Sequence, residues 1–524
     1  MTKLLNYKSY SIFFLLIIAV LFLRMGNINF TNGQYLWAED GNIFINQALS
    51  LGLESIFHLY AGYIHLYPRL ISIFAVQFNL FFLPVIFFIA WIGAVTYSSF
   101  VVFRWIYIQT NSIVISMIVP LLVLLQPNSG EIFFTITNAQ WFLSLALIVL
   151  LIDKEYRASY KNFVIFILLG LTGPFSALVL PILFFNIVFK KDLKENYIKY
   201  MIVLATAIIQ IYFMMQSDRV GGVIDANILH WLKSFYIFIT FDSHGFFALL
   251  SLLIWVVFFV YVVKFIYDVC KQRFTVRQLN GFLILIALVI IYLAGLWSTK
   301  QDPLALNPLG GGARYFFIPY SLFLISLPLL IKHNRVLYLL FFLIFVIDMK
   351  LFTVVNRPSL NFKSFIWFSK YSKNLNIPIN PQWGIYPGWH IDIKNKIISN
   401  KKEIYSIDLK NVAILNGIKL GNKISATNND LQLSFELPTQ CNKSPQIGVE
   451  IALNKESNGW SQIFYRDSSS SFTEEKSLRR YYNKGALIMQ YAFRNNNIQK
   501  VRIDPTEKEE IVFIKSIKVF CDAN

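Results

Sequence analysis

The residues best suited to chemistry are two adjacent carboxylates, Glu39 and Asp40, which precede a glycine in the first long polar segment of the chain. A carboxylate in such a position can act as a general base, because it can accept the proton of a hydroxyl group. Neighbouring residues point in different directions, so we expect only one of the two acids to face a substrate. We assign the base to Asp40, since Gly41 leaves room beside it, and an orienting or ion-pairing role to Glu39.

Aromatic and basic side chains close the same segment, which spans 35–69, at Tyr60, Tyr63, His65 and Arg69. Connectors of this length are usually functional. We predict that the three rings contact a substrate and that Arg69 contributes to binding an anion. The alternative for the segment is a packed cap with one satisfied ion pair. For Asp40, the alternative is the N-cap of the apolar helix that follows, a role that does not exclude that of a base.

A second group of residues suits a phosphate. Three glycines, at 310–312, lie just before Arg314 at the start of an apolar run, and Lys300 lies in the same loop. A glycine turn at a helix N-terminus, together with an arginine fork, is typical of phosphate binding. We therefore predict that Arg314 and Lys300 hold the phosphate of a donor. The alternative is that Arg314 snorkels at a membrane interface.

Metal and cofactor chemistry is not expected. His58 and His65 have no cysteine or acid at a spacing typical of zinc sites. A divalent ion held by Glu39 and Asp40 is conceivable chemically, but no further ligand pattern supports it. The chain also lacks a phosphate-binding Walker loop, a serine-hydrolase elbow and a metalloprotease motif.

The elements that position these residues are predicted to be membrane helices. The 524-residue chain is 56% hydrophobic and 17% aromatic, with a mean hydropathy of +0.54. Its apolar runs approach the ~20 residues that span a bilayer. The net charge of +18 does not indicate nucleic-acid binding, because most Lys and Arg residues before position 356 lie in loops on one face. That asymmetry assigns this face to the cytoplasm.

We predict a polytopic α-helical domain over 1–355, with about eleven crossings and with the loop 31–69 outside. Basic clusters at 154–161 and 190–199 both belong inside, yet only one apolar run, 162–189, separates them. Its centre, Leu171-Thr-Gly-Pro174, contains helix-breaking residues. We therefore predict two short helices that meet at a turn, and we expect this turn to line the same outer cavity as the first loop.

The composition becomes polar near Asn356. We assign 356–398 to a linker and 399–524 to an extracytoplasmic β-rich domain. Alternating segments at 431–435 and 511–519 predict a small antiparallel sandwich. Cys441 and Cys521 both fall in this domain, and an even pair in an oxidising compartment predicts a disulfide, with two free thiols as the alternative.

Two motifs carry a family resemblance: WAEDG at 37–41 and YAGYIHLYPR at 60–69. They resemble the pattern in bacterial GT-C membrane glycosyltransferases that decorate surface polysaccharide, including O-antigen glucosyltransferases. The motif resemblance covers about 35–73, and beyond it the architecture agrees.

The resemblance implies a polyprenyl-phosphate sugar donor, an acceptor glycan such as the O-antigen of lipopolysaccharide, and an acidic base at Asp40 or Glu39. A hexose such as glucose is the sugar it suggests. It also implies a bacterial inner-membrane protein, in contact with membrane lipids, whose C-terminal domain is periplasmic.

Other functions remain open. A transporter or lipid flippase usually places ionisable residues near the bilayer centre and contains repeated halves, whereas the charges here fall at the predicted span ends and no repeat is visible. A polymerase or ligase of the same polysaccharide would use similar substrates. A non-catalytic assembly subunit whose outer domain binds glycan is the remaining alternative.

Overall fold

A computed structural model of the chain describes residues 7–127, 131–156, 160–190, 193–217, 223–372, 374–382, 387–394, 403–467 and 469–522. The chain folds into two compact units, each built from discontinuous segments. The helical unit contains Met1–Ile28, Leu51–Phe74 and Ile86–Asn356. The second unit, which we call the outer unit after its predicted location, contains Asn29–Ser50, Ala75–Val85 and Arg357–Asn524.

The α-helices, in chain order, are α1 (Tyr7–Arg24), α2 (Asn46–Leu51), α3 (Leu66–Ala75), α4 (Leu83–Thr110), α5 (Ile113–Leu125), α6 (Ala139–Ile152), α7 (Tyr160–Gly170), α8 (Phe175–Leu178), α9 (Leu180–Lys190), α10 (Leu193–Met215), α11 (Ile228–Thr240), α12 (Phe246–Cys270), α13 (Val276–Ser298), α14 (Arg314–Leu330), α15 (Asn334–Lys350) and α16 (Phe362–Ser369). All but α2 and α16 lie wholly or mainly in the helical unit.

Among the described residues, five helical segments are long and apolar enough to cross a membrane: α1, Leu80–Thr110, α10, α12 and α13. Several apolar helices of 10–17 residues accompany them. A protein with this many long apolar helices has the character of a membrane protein. Many large apolar side chains on these helices are exposed, and a bilayer provides the apolar environment that they need.

Two further features concern the helices. The apolar run 70–103 is divided between α3 and α4, because the side chain of Asn79 accepts a hydrogen bond from the backbone of Phe81 and starts a new helical turn there. A further helix, α11, lies between α10 and α12. The predicted break in 162–189 is confirmed: α7 ends at Gly170, and α8 and α9 follow it.

Basic and amide side chains cap the carboxyl end of α6, a helix that is buried along its whole length. Lys199 donates to the carbonyls of Asp153, at 2.8 Å, and Leu150, at 3.3 Å. Lys190 donates to the carbonyl of Ile152. The last carbonyls of a helix lack internal partners and carry partial negative charge, so cations stabilise them. Lys190 and Lys199, which belong to a basic cluster that predicts the cytoplasmic face, therefore also stabilise the helical unit.

The outer unit is rich in antiparallel strands: β1 (Asn374–Pro378), β2 (His390–Lys394), β3 (Glu403–Ile407), β4 (Ala413–Leu415), β5 (Gly417–Leu420), β6 (Lys423–Ala426), β7 (Gln432–Glu436), β8 (Gln446–Lys455), β9 (Gly459–Arg466), β10 (Ser477–Tyr482), β11 (Gly485–Arg494), β12 (Lys500–Asp504) and β13 (Ile511–Cys521). One sheet has the order β10-β9-β12-β7-β4, and the other has β11-β8-β13-β6-β5 with β3 beside β13. The predicted alternating segments coincide with β7 and β13, so the expectation of strands there is confirmed.

The stretch 356–398, expected to be a linker, is largely ordered structure. It contains α16 and the hairpin of β1 and β2. Helix α16 packs on the larger sheet so closely that a Cβ on Gly448 would lie 2.6 Å from the ring of Phe368. Cys441 and Cys521 form a disulfide with their Cα atoms 5.5 Å apart, which ties the end of β13 to the turn before β8.

Candidate functional site

The predicted site segment 35–69 is divided between the two units. Glu39 and Asp40 belong to the outer unit, whereas Tyr60, Tyr63, His65 and Arg69 belong to the helical unit. The acids and the aromatic end of the segment therefore have separate structural supports, and each is described within its own unit.

The acids lie on an irregular stretch of backbone, residues 37–41, which we call the acid strap. Trp37 pairs with Asn380 as a parallel β-bridge, and the amide of Ala38 donates to the Asn380 carbonyl at 2.5 Å. Ala38 has a φ of +41°, a left-handed conformation that L side chains adopt only at a cost. A π-helix then runs from Asp40 to Ile45, and π-helical turns are frequent at functional sites.

The hairpin of β1 and β2 fills the space beside Gly41. A Cβ at this position would lie 2.5 Å from Ile379 and 2.9 Å from Ile391. The expected room for a substrate beside Gly41 is therefore absent, and glycine is needed there for close packing. Asn46 fixes the same hairpin, since its amide donates to the His390 carbonyl at 3.2 Å and accepts from Asp392 at 2.8 Å.

The two acids have different environments. Asp40 is fully buried, and one carboxylate oxygen accepts a hydrogen bond from the backbone of Trp37 at 3.2 Å. Glu39 is partly exposed. The helix begins at Asp40 itself, with Glu39 in the cap position and without a side-chain capping bond. The alternative of Asp40 as an N-cap therefore does not describe this helix, while the expectation that the two acids point differently agrees with their burial.

Arg357 is a residue that the sequence analysis missed. It is fully buried, its Nη1 donates to the Tyr35 carbonyl at 2.7 Å, and its guanidinium carbon lies 4.5 Å from the centre of the Trp37 ring. Burial lowers the pKa of Arg357 to about 10, and the charge of Asp40 opposes that shift. The charges of Arg357 and Asp40 therefore interact. The only sequence signal was an arginine just after the last apolar run.

The aromatic end of the segment forms a short hairpin in the helical unit. Tyr60 and Tyr63 pair with each other through backbone bonds of 3.2 and 3.3 Å, and the two residues between them, Ala61 and Gly62, both have positive φ. This is the geometry of a type I′ turn. His65 is buried, with its ring centre 4.6 Å from that of Tyr63 and 5.5 Å from that of Tyr60. The three predicted substrate contacts are therefore brought together.

The predicted helix break holds this hairpin in place. The backbone of Leu66 donates to Leu171, at 3.0 Å, and that of Gly173 donates to Ile64, at 3.2 Å. The buried Gln210 of α10 joins both segments: it accepts from the amide of Ile64 at 3.0 Å and donates to the carbonyls of Ile64 and Gly173 at 3.1 and 3.0 Å. The helix break therefore contacts the aromatic end of the first loop, while a shared outer cavity remains a prediction, and we call this assembly the Gln210 clamp.

Arg69 supports the backbone of its own segment. Its side chain is buried, and Nη2 donates to the carbonyl of His58 at 2.8 Å. The anion-binding role proposed for it remains a prediction.

Arg314 begins α14, as the sequence suggested, and forms an ion pair with Glu131, which lies between α5 and α6. Both side chains are partly exposed, at 32% and 23%. The ring centre of the next residue, Tyr315, lies 5.7 Å from that of Trp141. The ring centre of Trp141 in turn lies 5.4 Å from that of Phe175, just after the helix break. Arg314 therefore lies in a network of rings that reaches the broken helix.

Lys300, the other predicted donor contact, lies in a mostly closed environment. It is nearly buried, and its ammonium nitrogen lies 4.7 Å from the centre of the Trp297 ring. Its backbone carbonyl accepts a hydrogen bond from the backbone amide of Asp225 at 2.7 Å. In the part of the chain that the structure describes, no group of three or more His, Cys, Asp or Glu side chains is arranged to hold a metal ion.

The chain resembles the solved structures named below over about a quarter of its length. No protein-family model matches the chain, and no curated protein matches it. Similar solved structures include BiXyn10A CBM1, at 12% identity and a TM-score of 0.17, covering 22% of this chain and 95% of that one. Another is the family 29 carbohydrate-binding module CBM29_1 from Piromyces equi, at 10% identity and a TM-score of 0.16, covering 24% of this chain and 85% of that one. TM-scores this low carry no inference about function.

Proposed function

We propose that this protein is a polytopic membrane glycosyltransferase of the GT-C type. It transfers a sugar, such as a hexose, from a polyprenyl-phosphate donor to a glycan acceptor such as O-antigen, on the outer face of a bacterial inner membrane. In this proposal the helical unit crosses the membrane about eleven times and the outer unit lies in the periplasm.

The observation that carries the proposal is the construction of the acid strap. Asp40 is held by a backbone hydrogen bond at the start of a π-helix, after a left-handed Ala38, and within the electrostatic range of the buried Arg357. Strained and irregular backbone of this kind is costly, and it is concentrated where function requires fixed geometry. A general base must be held in a fixed geometry, and the acid strap supplies such a geometry for Asp40.

The donor side of the proposal rests on Arg314. A guanidinium at the start of a helix, following a glycine turn, can bind a phosphate through two parallel hydrogen bonds. Glu131 holds Arg314 in the absence of a donor, and we propose that the lipid phosphate takes over part of that fork. Lys300 and Arg69 are the further cations proposed to contribute positive potential, and the rings of Tyr60, Tyr63 and His65 are proposed to contact the sugar or its lipid.

The reaction is a direct displacement at the anomeric carbon. Because Asp40 is buried, the proposal requires its cover to open when the acceptor binds. A hydroxyl oxygen of the acceptor then forms the new bond to that carbon while its proton passes to the carboxylate of Asp40. The bond from the anomeric carbon to the donor phosphate breaks at the same time, and the bonding electrons leave with the phosphate. The phosphate is a good leaving group without an acid, so one base suffices, and the configuration inverts.

The test is transfer by the purified full-length protein from a polyprenyl-phosphate hexose to a lipopolysaccharide acceptor. Asp40→Asn keeps the shape and removes the base, so turnover should fall by about 10²–10⁴-fold. Glu39→Gln should have a smaller effect, and Glu54→Gln, a matched change at an exposed acid of the same connector, should leave turnover unchanged. Near-normal turnover of Asp40→Asn would move the base elsewhere, with Glu39 as the next candidate.

The alternatives predict different outcomes of the same experiment. A transporter or flippase would move the donor lipid across proteoliposomes without forming a glycosidic bond. A polymerase or ligase would join preformed glycans rather than single sugars. A non-catalytic assembly subunit would bind acceptor and show no turnover with any donor.

A further inference from the structure

The outer unit contains an open groove of about 470 Å³, distinct from the acid strap and built from three of its elements. Its lining is Asn29, Asn32, Asn361, Lys363, Ser364, Pro445, Gln446 and Arg494. The volume falls within the range of about 300–1,000 Å³ that is typical of ligand sites. Every lining residue except the proline carries a hydrogen-bonding or charged side chain.

The groove is constructed from packed and hydrogen-bonded parts. A Cβ on Gly33 would lie 2.3 Å from Phe362, so the segment 29–35 lies directly against α16. Asn32 accepts from the amide of Gly33, at 3.1 Å, and donates to Ser359 at 3.1 Å. Ser364 donates to Gln446 at 2.6 Å, which joins α16 to the edge of the larger sheet. The polar groups are therefore positioned before any ligand arrives, and this lowers the entropic cost of binding.

The charges of the groove have one sign. Lys363 and Arg494 are exposed, and Arg494 stands opposite Gln446 on the paired strands β11 and β8. None of the eight lining residues is acidic, and within the described residues neither cation has a carboxylate at ion-pair distance. Two cations without acidic partners favour an anion, because an ionised acceptor makes stronger hydrogen bonds than a neutral one.

The lining also indicates what accompanies the anion. Amides and a hydroxyl can donate to and accept from the hydroxyl groups of a sugar. None of the eight described lining residues is aromatic, so recognition through them depends on polar and ionic contacts rather than on stacking against a sugar face. We propose that this groove binds an anionic glycan, with carboxylate or phosphate groups between Lys363 and Arg494 and hydroxyl groups on the amides. The inference rests on the proposed function only in making this glycan the acceptor.

Equilibrium binding tests the groove without donor or turnover, so its failure is distinguishable from failure of the transferase proposal. Full-length protein in nanodiscs of zwitterionic lipid is titrated with an oligogalacturonate, a maltohexaose phosphorylated on C6, and plain maltohexaose. At least one anionic ligand should bind, more weakly as salt is raised, while the neutral one should not. The better anionic ligand distinguishes carboxylate from phosphate recognition.

The decisive variant is K363A/R494A, which should weaken anionic binding by about tenfold or more, given the usual strength of charge-assisted bonds. K370A/K515A removes the same charge from exposed positions outside the groove and should bind as the unmodified protein does. An unchanged midpoint of thermal unfolding would show that both variants are folded. The proposal is overturned if neither anionic ligand binds, if maltohexaose binds equally well, if both double variants lose binding equally, or if inorganic phosphate alone binds as tightly.

Discussion

At the scale of single residues, the coupling between Asp40 and Arg357 bears on whether the acid strap serves catalysis or only stabilises the fold. The guanidinium is buried with Tyr35 and Trp37 as neighbours, and its charge interacts with that of Asp40, so truncating it removes a favourable electrostatic interaction from the strap. Arg357→Met should lower the free energy of unfolding by about 3–5 kcal/mol, the usual cost of breaking a buried pair. Arg357→Lys should recover only part of this, because an ammonium cannot reproduce the planar fork.

A double-mutant cycle separates the two roles. If the charges are coupled, Asp40→Asn combined with Arg357→Met should cost less stability than the sum of the single changes. Additive effects, measured as shifts in thermal unfolding of the purified protein, would contradict the coupling and leave Arg357 as a packing residue.

Arg314 has a separate prediction, since it is already paired with Glu131. Arg314→Ala should weaken donor use by about 1.5–3 kcal/mol, or roughly tenfold to a hundredfold in the Michaelis constant for the donor. Glu131→Gln should have a smaller effect, because it releases the guanidinium without removing it. Donor titrations of the two variants check this. An equal rise of the Michaelis constant in both would indicate that the ion pair, rather than a phosphate contact of Arg314, supports donor use.

At the scale of elements, the Gln210 clamp joins the aromatic hairpin to the broken helix. Gln210→Leu removes three buried hydrogen bonds and leaves backbone groups unsatisfied, at about 1–3 kcal/mol for each such group. Hydrogen exchange at 60–67 and 171–173 should therefore accelerate. Gln216→Leu, at an exposed position near the end of the same helix, is the control, and the clamp is refuted if both variants exchange alike.

The helix break shows what the sequence could predict of the fold. Leu171-Thr-Gly-Pro174 indicated a turn, because glycine and proline disfavour helix locally, and the basic clusters beside it predict that both flanks lie on one face. Nothing local indicated that Gln210 would bind there, since a single amide in an apolar helix has many possible partners. The strands β7 and β13 were predictable for the same local reason, namely their alternation.

The acid strap shows what the sequence could not predict. The type of residue at Glu39 and Asp40 suggested chemistry, but burial depends on what packs against them. Ile379 and Ile391 fill the space beside Gly41, and Arg357 approaches from a distant part of the chain. Such long-range packing has no periodic signal in one sequence, so the expected open space beside the acid was wrong although the acids themselves remain the best candidates.

At the scale of the whole molecule, the topology is the main prediction. Cysteines introduced at 161 and 194 should both be labelled only from the cytoplasmic side, as should the native Cys270, which is free and exposed. Cys441 and Cys521 are paired and serve as an unreactive background. A membrane-impermeant maleimide applied to intact spheroplasts and then to inverted vesicles measures this. Labelling of 161 or 194 from outside would contradict the proposed number of crossings.

The discontinuity of the outer unit has a consequence for the order of events during synthesis. Asn29–Ser50 and Ala75–Val85 emerge early, yet the remaining and largest part of the unit begins only at Arg357. Roughly 300 residues separate Asp40 from Arg357, and at about 5–20 residues per second the ribosome needs tens of seconds to add them. During that interval the nascent acid strap has neither its counter-charge nor the hairpin that covers it. A ribosome stalled before Arg357 would release a chain with its apolar helices complete and its acid site unassembled.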